Sequence, residues 1–238
     1  MAHSGRRISA RTRRRLTGIG ILLIAVVTGA GLGLVALARS TPSWWRTPVD
    51  GDPCRRLATE FENRVVEQLT KVRAGDDADW RVSLPEEAVN AWLTSRLPRW
   101  LANRELVRTW PTSMSRPVVV LSDAGVLLGV RSGDHTLSAT LTPSVTPEGG
   151  IHVRAANFGL GRLSLPAGLV LTHLRDDVVA EMPDDAAVRA ALRSAIDALN
   201  SNEPLLRTAA IHLGDGRTVR ILQIRPREGA LDVWLRTE

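Results

Sequence analysis

One cysteine in 238 residues, Cys54, excludes an internal disulfide. Its setting argues against lipidation as well, because it follows DGDP rather than the small and apolar residues of a bacterial lipobox. A partly buried structural thiol is the expected role. Lys71 is the only lysine, which reflects a compositional bias toward arginine rather than a function. No segment repeats at a fixed period and none is of low complexity. Chemistry-bearing constellations are equally scarce. None of the five histidines, His3, His135, His152, His173 and His212, stands at metal-ligand spacing from another His, a Cys or a carboxylate. His173 with Asp176 and Asp177 comes nearest to an acid–base group, but acids beside a histidine are ordinary on a solvated helix face. Ser164 has no G-x-S-x-G elbow around it, and Gly159-Leu160-Gly161 is followed by no G-K-[ST]. The sequence therefore predicts no catalytic residue, no metal ligand and no cofactor.

Charge is present but unevenly placed. The formal net charge is +6, yet residues 1–38 hold six arginines and no acid, and the remaining 25 basic residues match the 25 acidic ones. No net positive charge is left over residues 39–238 to release counterions from a phosphate backbone, so a nucleic-acid partner is not expected.

What the chain does have is one long uncharged run. Leu16 to Ala38 is 23 residues, which at about 1.5 Å per residue spans about 34 Å, against a hydrocarbon core of about 30 Å. Arg6, Arg7, Arg11, Arg13, Arg14 and Arg15 precede it and only Arg39 follows closely. The asymmetry predicts a single transmembrane helix with a cytoplasmic N-terminus, and Trp44 and Trp45 fall where an interfacial aromatic belt would sit. Ala36 and Ala38 offer an A-x-A-like cleavage site, but the run exceeds the usual h-region of about 7–15 residues, so an uncleaved signal-anchor is expected. The predicted organisation is a basic cytoplasmic tail (1–15), a transmembrane helix (16–38), a juxtamembrane linker (39–52) and an extracytoplasmic α+β domain (53–238). The expected location is the cell membrane, single-pass, in the cell envelope.

Within the exported part, Leu57, Phe61, Val65, Leu69 and Val72 share one face of a predicted helix with Pro53 near its start. Ser83 and Glu86 have the spacing of a capping box before a helix carrying Val89, Trp92, Leu93 and Leu97. The period then changes to two. Residues 117–121, 125–130 and 135–142 read as antiparallel strands, with Leu137, Ala139 and Leu141 on a buried face and Thr136, Ser138, Thr140 and Thr142 on a wet one. The strand begun by Ile151, Val153 and Ala155 changes phase before Phe158, and Gly159 and Gly161 mark a bulge or a close approach of backbone. Pro166 opens a short, very apolar helix, and residues 185–200 form a capped amphipathic helix with Val188, Leu192, Ala195, Ile196 and Leu199 inward. Three strands near 208–213, 217–225 and 230–236 close the chain, the first two joined by a tight turn at Asp215-Gly216. The fold class is thus α+β, antiparallel meanders packed on amphipathic helices.

Two of these segments resemble the YpmS-like family of membrane-anchored bacterial proteins. SLPEEAVNAWL and GLGRLSLPAGLVL place Ser83, Glu86, Asn90, Leu93, Gly161, Leu163 and Pro166 at the family's motif positions. The layout is also similar, at fold level, to tubular lipid-binding proteins, and that resemblance implies an apolar groove between a curved sheet and helices. Leu163, Leu165, Leu169, Val170, Leu171 and Leu174 are the expected ligand-binding residues, because the segment is more apolar than one buried helix face requires. The function expected from the sequence is a membrane-anchored extracytoplasmic binding protein for a lipid or another apolar envelope component. The alternatives are a non-enzymatic interaction scaffold and a hydrolase without a recognised motif. The oligomeric state is left open.

Overall fold

The computed structural model describes residues 26, 28–73, 79–104, 110–168, 170, 199 and 204–238. Two antiparallel sheets with their helices make an α+β fold. Helix α1 covers residues 28–39, α2 is Asp52–Thr70, α3 Glu86–Ser95 and α4 Leu97–Asn103. The four-stranded sheet runs in the order β1 (Asp79–Pro85), β9 (Ala230–Thr237), β8 (Thr218–Arg227) and β7 (Ala210–His212). The five-stranded sheet is a plain meander, β2 (Val118–Ser122), β3 (Gly125–Ser132), β4 (His135–Val145), β5 (Ile151–Leu160) and β6 (Leu163–Pro166).

Helix α2 starts where Pro53 supplies a preset φ and lacks a donor that would be orphaned anyway. Leu57, Phe61, Val65 and Leu69 are half-buried as their spacing predicts, and Ala58 at the centre is fully buried. The helix pairs with α3 through the Trp92 indole, which donates to Glu62 Oε1 at 2.9 Å, and the Cys54 thiol, which donates to the Ala91 carbonyl at 3.6 Å.

The capping box at Ser83 does not form. Ser83 lies inside β1 opposite Asp232, and Pro85 holds the cap position. The Glu86 carboxylate instead accepts the Leu121 N–H at 2.7 Å. Asn90, one turn along, accepts the Val119 N–H and donates to the Val119 carbonyl, each at 2.7 Å. β2 is an outer strand, so two side chains of α3 complete a sheet edge that would otherwise stand open. At the same corner Gly229 N–H donates to Leu121 O at 3.0 Å and Glu86 N–H to Gly229 O at 2.9 Å. The turn between β8 and β9, the start of α3 and the edge of β2 are thereby joined.

The phase change in β5 is a bulge. Thr140 pairs Asn157 and Leu141 pairs Ala155, leaving Ala156 as the extra residue. It brings Phe158 onto the face that Ala155 occupies, so the apolar side continues through Leu128, Ala139, Phe158 and Leu165. The expected division of β4 into a buried leucine face and a wet hydroxyl face is reversed at one end. Thr136 is 2% exposed and Leu137 is 42% exposed, because residues 37–45 pack across the hydroxyl face at Gly129 and Gly161. Leu163 and Leu165 belong to strand β6, and helix follows Pro166, where the sequence places its start.

The membrane span is not borne out. Among the described residues no helix is long and apolar enough to cross a membrane. Residues 16–25 and 27 of the expected span lie outside the described residues. Within the described part of the run, residues 26 and 28–38 are helical, and the helix continues to 39. The C-terminal end of α1 is also tied to protein: Leu37 O accepts the Arg162 N–H at 2.9 Å. Trp45, expected in an interfacial belt, is 9% exposed within the fold. The transmembrane helix, the membrane partner, the single-pass location and the anchored function that rested on them are corrected accordingly.

Candidate functional site

Antiparallel register puts Gly129, Ser138, Gly159 and Ser164 in one row across β3, β4, β5 and β6. The next row on the same face is Leu127, Thr140, Asn157 and Pro166. Side chains are thus missing from the first row at two of four positions, and each absence has a spatial cause. A Cβ on Gly129 would overlap the six-membered ring of Trp44, and one on Gly159 would overlap Ser138 Oγ. Glycine inside a strand marks such close approaches.

The result is a cavity of about 250 Å³ between residues 42–44 and the hydroxyl face of the five-stranded sheet. Pro42, Ser43 and Trp44 form one wall. Ser138, Thr140, Asn157 and Ser164 supply hydroxyl and amide groups, Arg162 supplies a guanidinium and Leu127 supplies apolar surface, while Phe158 and Leu163, on the opposite face by register, border the cavity along their strands. None of the side chains of Ser138, Thr140, Asn157 or Ser164 hydrogen-bonds to another described residue, so among the described residues their donors and acceptors are open. No carboxylate, histidine or cysteine is among the described residues that line the cavity.

The wall is held in place. Gly161, at φ +57°, closes the turn between β5 and β6 and donates to Thr136 O at 2.7 Å. A Cβ there would overlap the carbonyls of Leu37 and Ala38, so the turn and the end of α1 are in direct backbone contact. The adjacent Arg162 N–H satisfies a carbonyl at the α1 terminus. Trp44 and Trp45 meet edge to face, centroids 5.8 Å apart, and Trp45 fixes the end of the wall by its burial.

Of the ligand-binding residues expected from the sequence, Leu163 borders this cavity. Leu165 pairs with Phe158 on the opposite face of the sheet and is 44% exposed. Val170 is half-buried, and Leu169, Leu171 and Leu174 lie outside the described residues, as do His173, Asp176 and Asp177. Ser164, set aside as a nucleophile, returns as a hydrogen-bonding wall. The residues that sequence reasoning passed over are Trp44, Asn157 and the pair Ser138 and Thr140. The signal available for them was Gly159 in mid-strand, which does mark a close approach. The residues that carry the YpmS-like resemblance fall in two places: Ser83, Glu86, Asn90 and Leu93 at the corner of β1 and α3, and Gly161, Leu163 and Pro166 at the hairpin beside the cavity. No family model matches the chain, and no curated protein gives a significant match to it.

Proposed function

We propose that this protein is a non-catalytic binding domain for a small, hydroxyl-rich ligand of saccharide type, taken between Trp44 and the hydroxyl face of the five-stranded sheet. The observation that carries the reading is the lining itself: four uncommitted hydroxyl or amide side chains facing an indole wall. A pyranose has both kinds of surface. Its C–H face suits the electron-rich face of an indole, and its hydroxyls both donate and accept, as Ser, Thr and Asn do. A lipid chain would leave those polar groups desolvated without partners, at a cost of about 1–3 kcal/mol each. The cavity, about 250 Å³, is below the range of about 300–1,000 Å³ of drug-sized sites, so one sugar unit is the fitting occupant. Binding is favoured over hydrolysis because general acid–base catalysis needs a titratable side chain within hydrogen-bond reach of the bond. The described lining offers only the guanidinium of Arg162.

Saturation-transfer NMR of the full chain against a panel of hexoses, N-acetylhexosamines and hexuronic acids tests this. One class should bind with a dissociation constant on the order of 1 mM, the scale expected for a dozen-atom ligand in an open site. Asn157 is exposed, so Asn157→Ala should weaken binding at least tenfold while leaving the melting temperature unchanged. Absence of binding across the panel at 20 mM, or undiminished binding by the variant, overturns the reading.

A further inference from the structure

The outward face of the four-stranded sheet carries a second arrangement, independent of the cavity. Register sets Arg81, Trp234 and Gln223 in one row across β1, β9 and β8, and Ser83, Asp232 and Arg225 in the next. Arg227, two residues beyond Arg225, projects from the same face. Asp232 is 4% exposed, an unusual depth for a carboxylate on a sheet whose neighbours are solvated. Its Oδ2 accepts Arg227 Nε at 3.0 Å and lies 3.7 Å from Arg81 Nη1. The second fork of Arg227, Nη2, donates to Ser83 Oγ at 3.0 Å. Both arginine side chains stay about half exposed, at 49% and 58%. Arg225 stands directly across the strand pair from Asp232, is exposed, and among the described residues forms no ion pair.

Two guanidiniums therefore meet one carboxylate, and Arg225 stands across the strand pair from it without an ion pair to it. Directly opposed cross-strand Cβ atoms are about 4.5–5.5 Å apart and diagonal ones about 7–8 Å, within the reach of arginine side chains toward one point. The buried carboxylate fixes Arg227 through Nε and leaves Nη1 directed away from that pairing. One negative charge offsets one of three positive ones, so two remain over a patch a few side chains wide. Planar forks of this kind recognise tetrahedral oxyanions by paired N–H donors. The balance of 25 basic and 25 acidic residues beyond residue 38 conceals this local excess.

We propose that Arg81, Arg225 and Arg227, arranged over the buried Asp232 carboxylate, form a binding site for a doubly charged tetrahedral oxyanion, a phosphate or phosphate monoester group. Arg225 provides the uncommitted fork, Arg227 the pre-oriented one, and Arg81 closes the patch from β1. Isothermal titration of the full chain with inorganic phosphate and with phenyl phosphate, at pH 7.5 and ionic strength held constant with sodium chloride, is the test. Saturable binding at one site is expected for at least one of the two probes. Arg225→Gln should weaken it at least tenfold, and Arg225→Lys, which keeps the charge without the fork, should restore only part of the loss. Because Arg225 has no ion pair to lose, both variants should unfold at the wild-type temperature. Tighter binding of phenyl phosphate assigns the site to a phosphorylated compound, and tighter binding of inorganic phosphate to the free ion. If neither probe produces heat beyond that of chloride at the same ionic strength, or Arg225→Gln binds as wild type does, there is no such site.

Discussion

Replacing Asn90 with alanine should open the edge of the five-stranded sheet and destabilise the whole fold. The Asn90 amide makes a reciprocal pair with the backbone of Val119, both bonds at 2.7 Å, and Val119 is 7% exposed. The substitution leaves one N–H and one carbonyl without partners in a nearly closed corner. A buried polar group without a partner costs about 1–3 kcal/mol. Water reaches the edge more readily than the centre of a sheet, so the two together should cost about 2–3 kcal/mol. For a domain of this size about 1 kcal/mol corresponds to about 2–4 °C, so the melting temperature should fall by about 5–10 °C. Urea denaturation should show the midpoint moving while the slope is unchanged, since the surface exposed on unfolding is the same. Asn90→Asp is the discriminating partner variant. It keeps an acceptor for the Val119 N–H but sets a carboxylate oxygen against the Val119 carbonyl, so it should be at least as damaging as alanine. Glu86→Gln should cost much less, because a carboxamide oxygen still accepts the Leu121 N–H seen at 2.7 Å. A loss under about 0.5 kcal/mol for Asn90→Ala would mean that water completes this edge and that the side chain does not hold α3 to β2.

Two further outcomes concern titratable groups. Burial alone would raise the Asp232 carboxyl, but the Ser83 hydroxyl and the Arg227 and Arg81 guanidiniums outweigh it and hold the group below the usual carboxylate range. A carboxyl depressed in the folded state adds stability that is complete above its unfolded value, about 3.9, and is lost as pH falls through the folded value. The stability gap between wild type and Asp232→Asn, read from urea midpoints, should therefore be widest near neutrality and narrow below about pH 4; a gap constant down to pH 2.5 would contradict it. Burial, with a smaller contribution from Asp50, pushes the Cys54 thiol up, and its Sγ already bonds the Ala91 carbonyl. Iodoacetamide at pH 7 should accordingly modify Cys54 at least ten times more slowly in the folded chain than in urea, and equal rates would refute the placement.

The elements that sequence periodicity exposes most clearly here are those whose partners are close in the chain. β2 to β5 alternate visibly and pair with their immediate neighbours, so the meander and even the phase change at Ala156 can be read from order alone. β1 could not be read in the same way. Trp80, Val82 and Leu84 alternate, but the partner strand β9 lies about 150 residues on, and Ser83 with Glu86 imitates a capping box. Those side chains have other work: Ser83 accepts from Arg227, and Glu86 completes the β2 edge. The described end of the uncharged run, and the tryptophans after it, were hidden for a related reason. Hydropathy counts residue types, and it does not register that Leu37, Trp44 and Trp45 are committed to a sheet formed more than eighty residues later.

The candidate cavity shows the same division between face and register. Alternation in β4 does place Ser138 and Thr140 together on a polar face, as the sequence predicts. What alternation cannot supply is which residues of β5 and β6 stand beside them. That depends on the bulge at Ala156: Thr140 faces Asn157 and Leu141 faces Ala155, with the extra residue between. With regular pairing in place of the bulge, the partner of Leu141 would be Ala156, and Ala155, opposite Thr142, would move onto the polar side. The row of Gly129, Ser138, Gly159 and Ser164 depends on the β5 and β6 registers as they are, and Trp44 fits over it because Gly129 leaves room. The site is therefore a product of one inserted residue and two glycines, each of which reads locally as an irregularity in a strand. In antiparallel sheets such irregularities decide which side chains meet across strands, and it is across strands that binding groups converge.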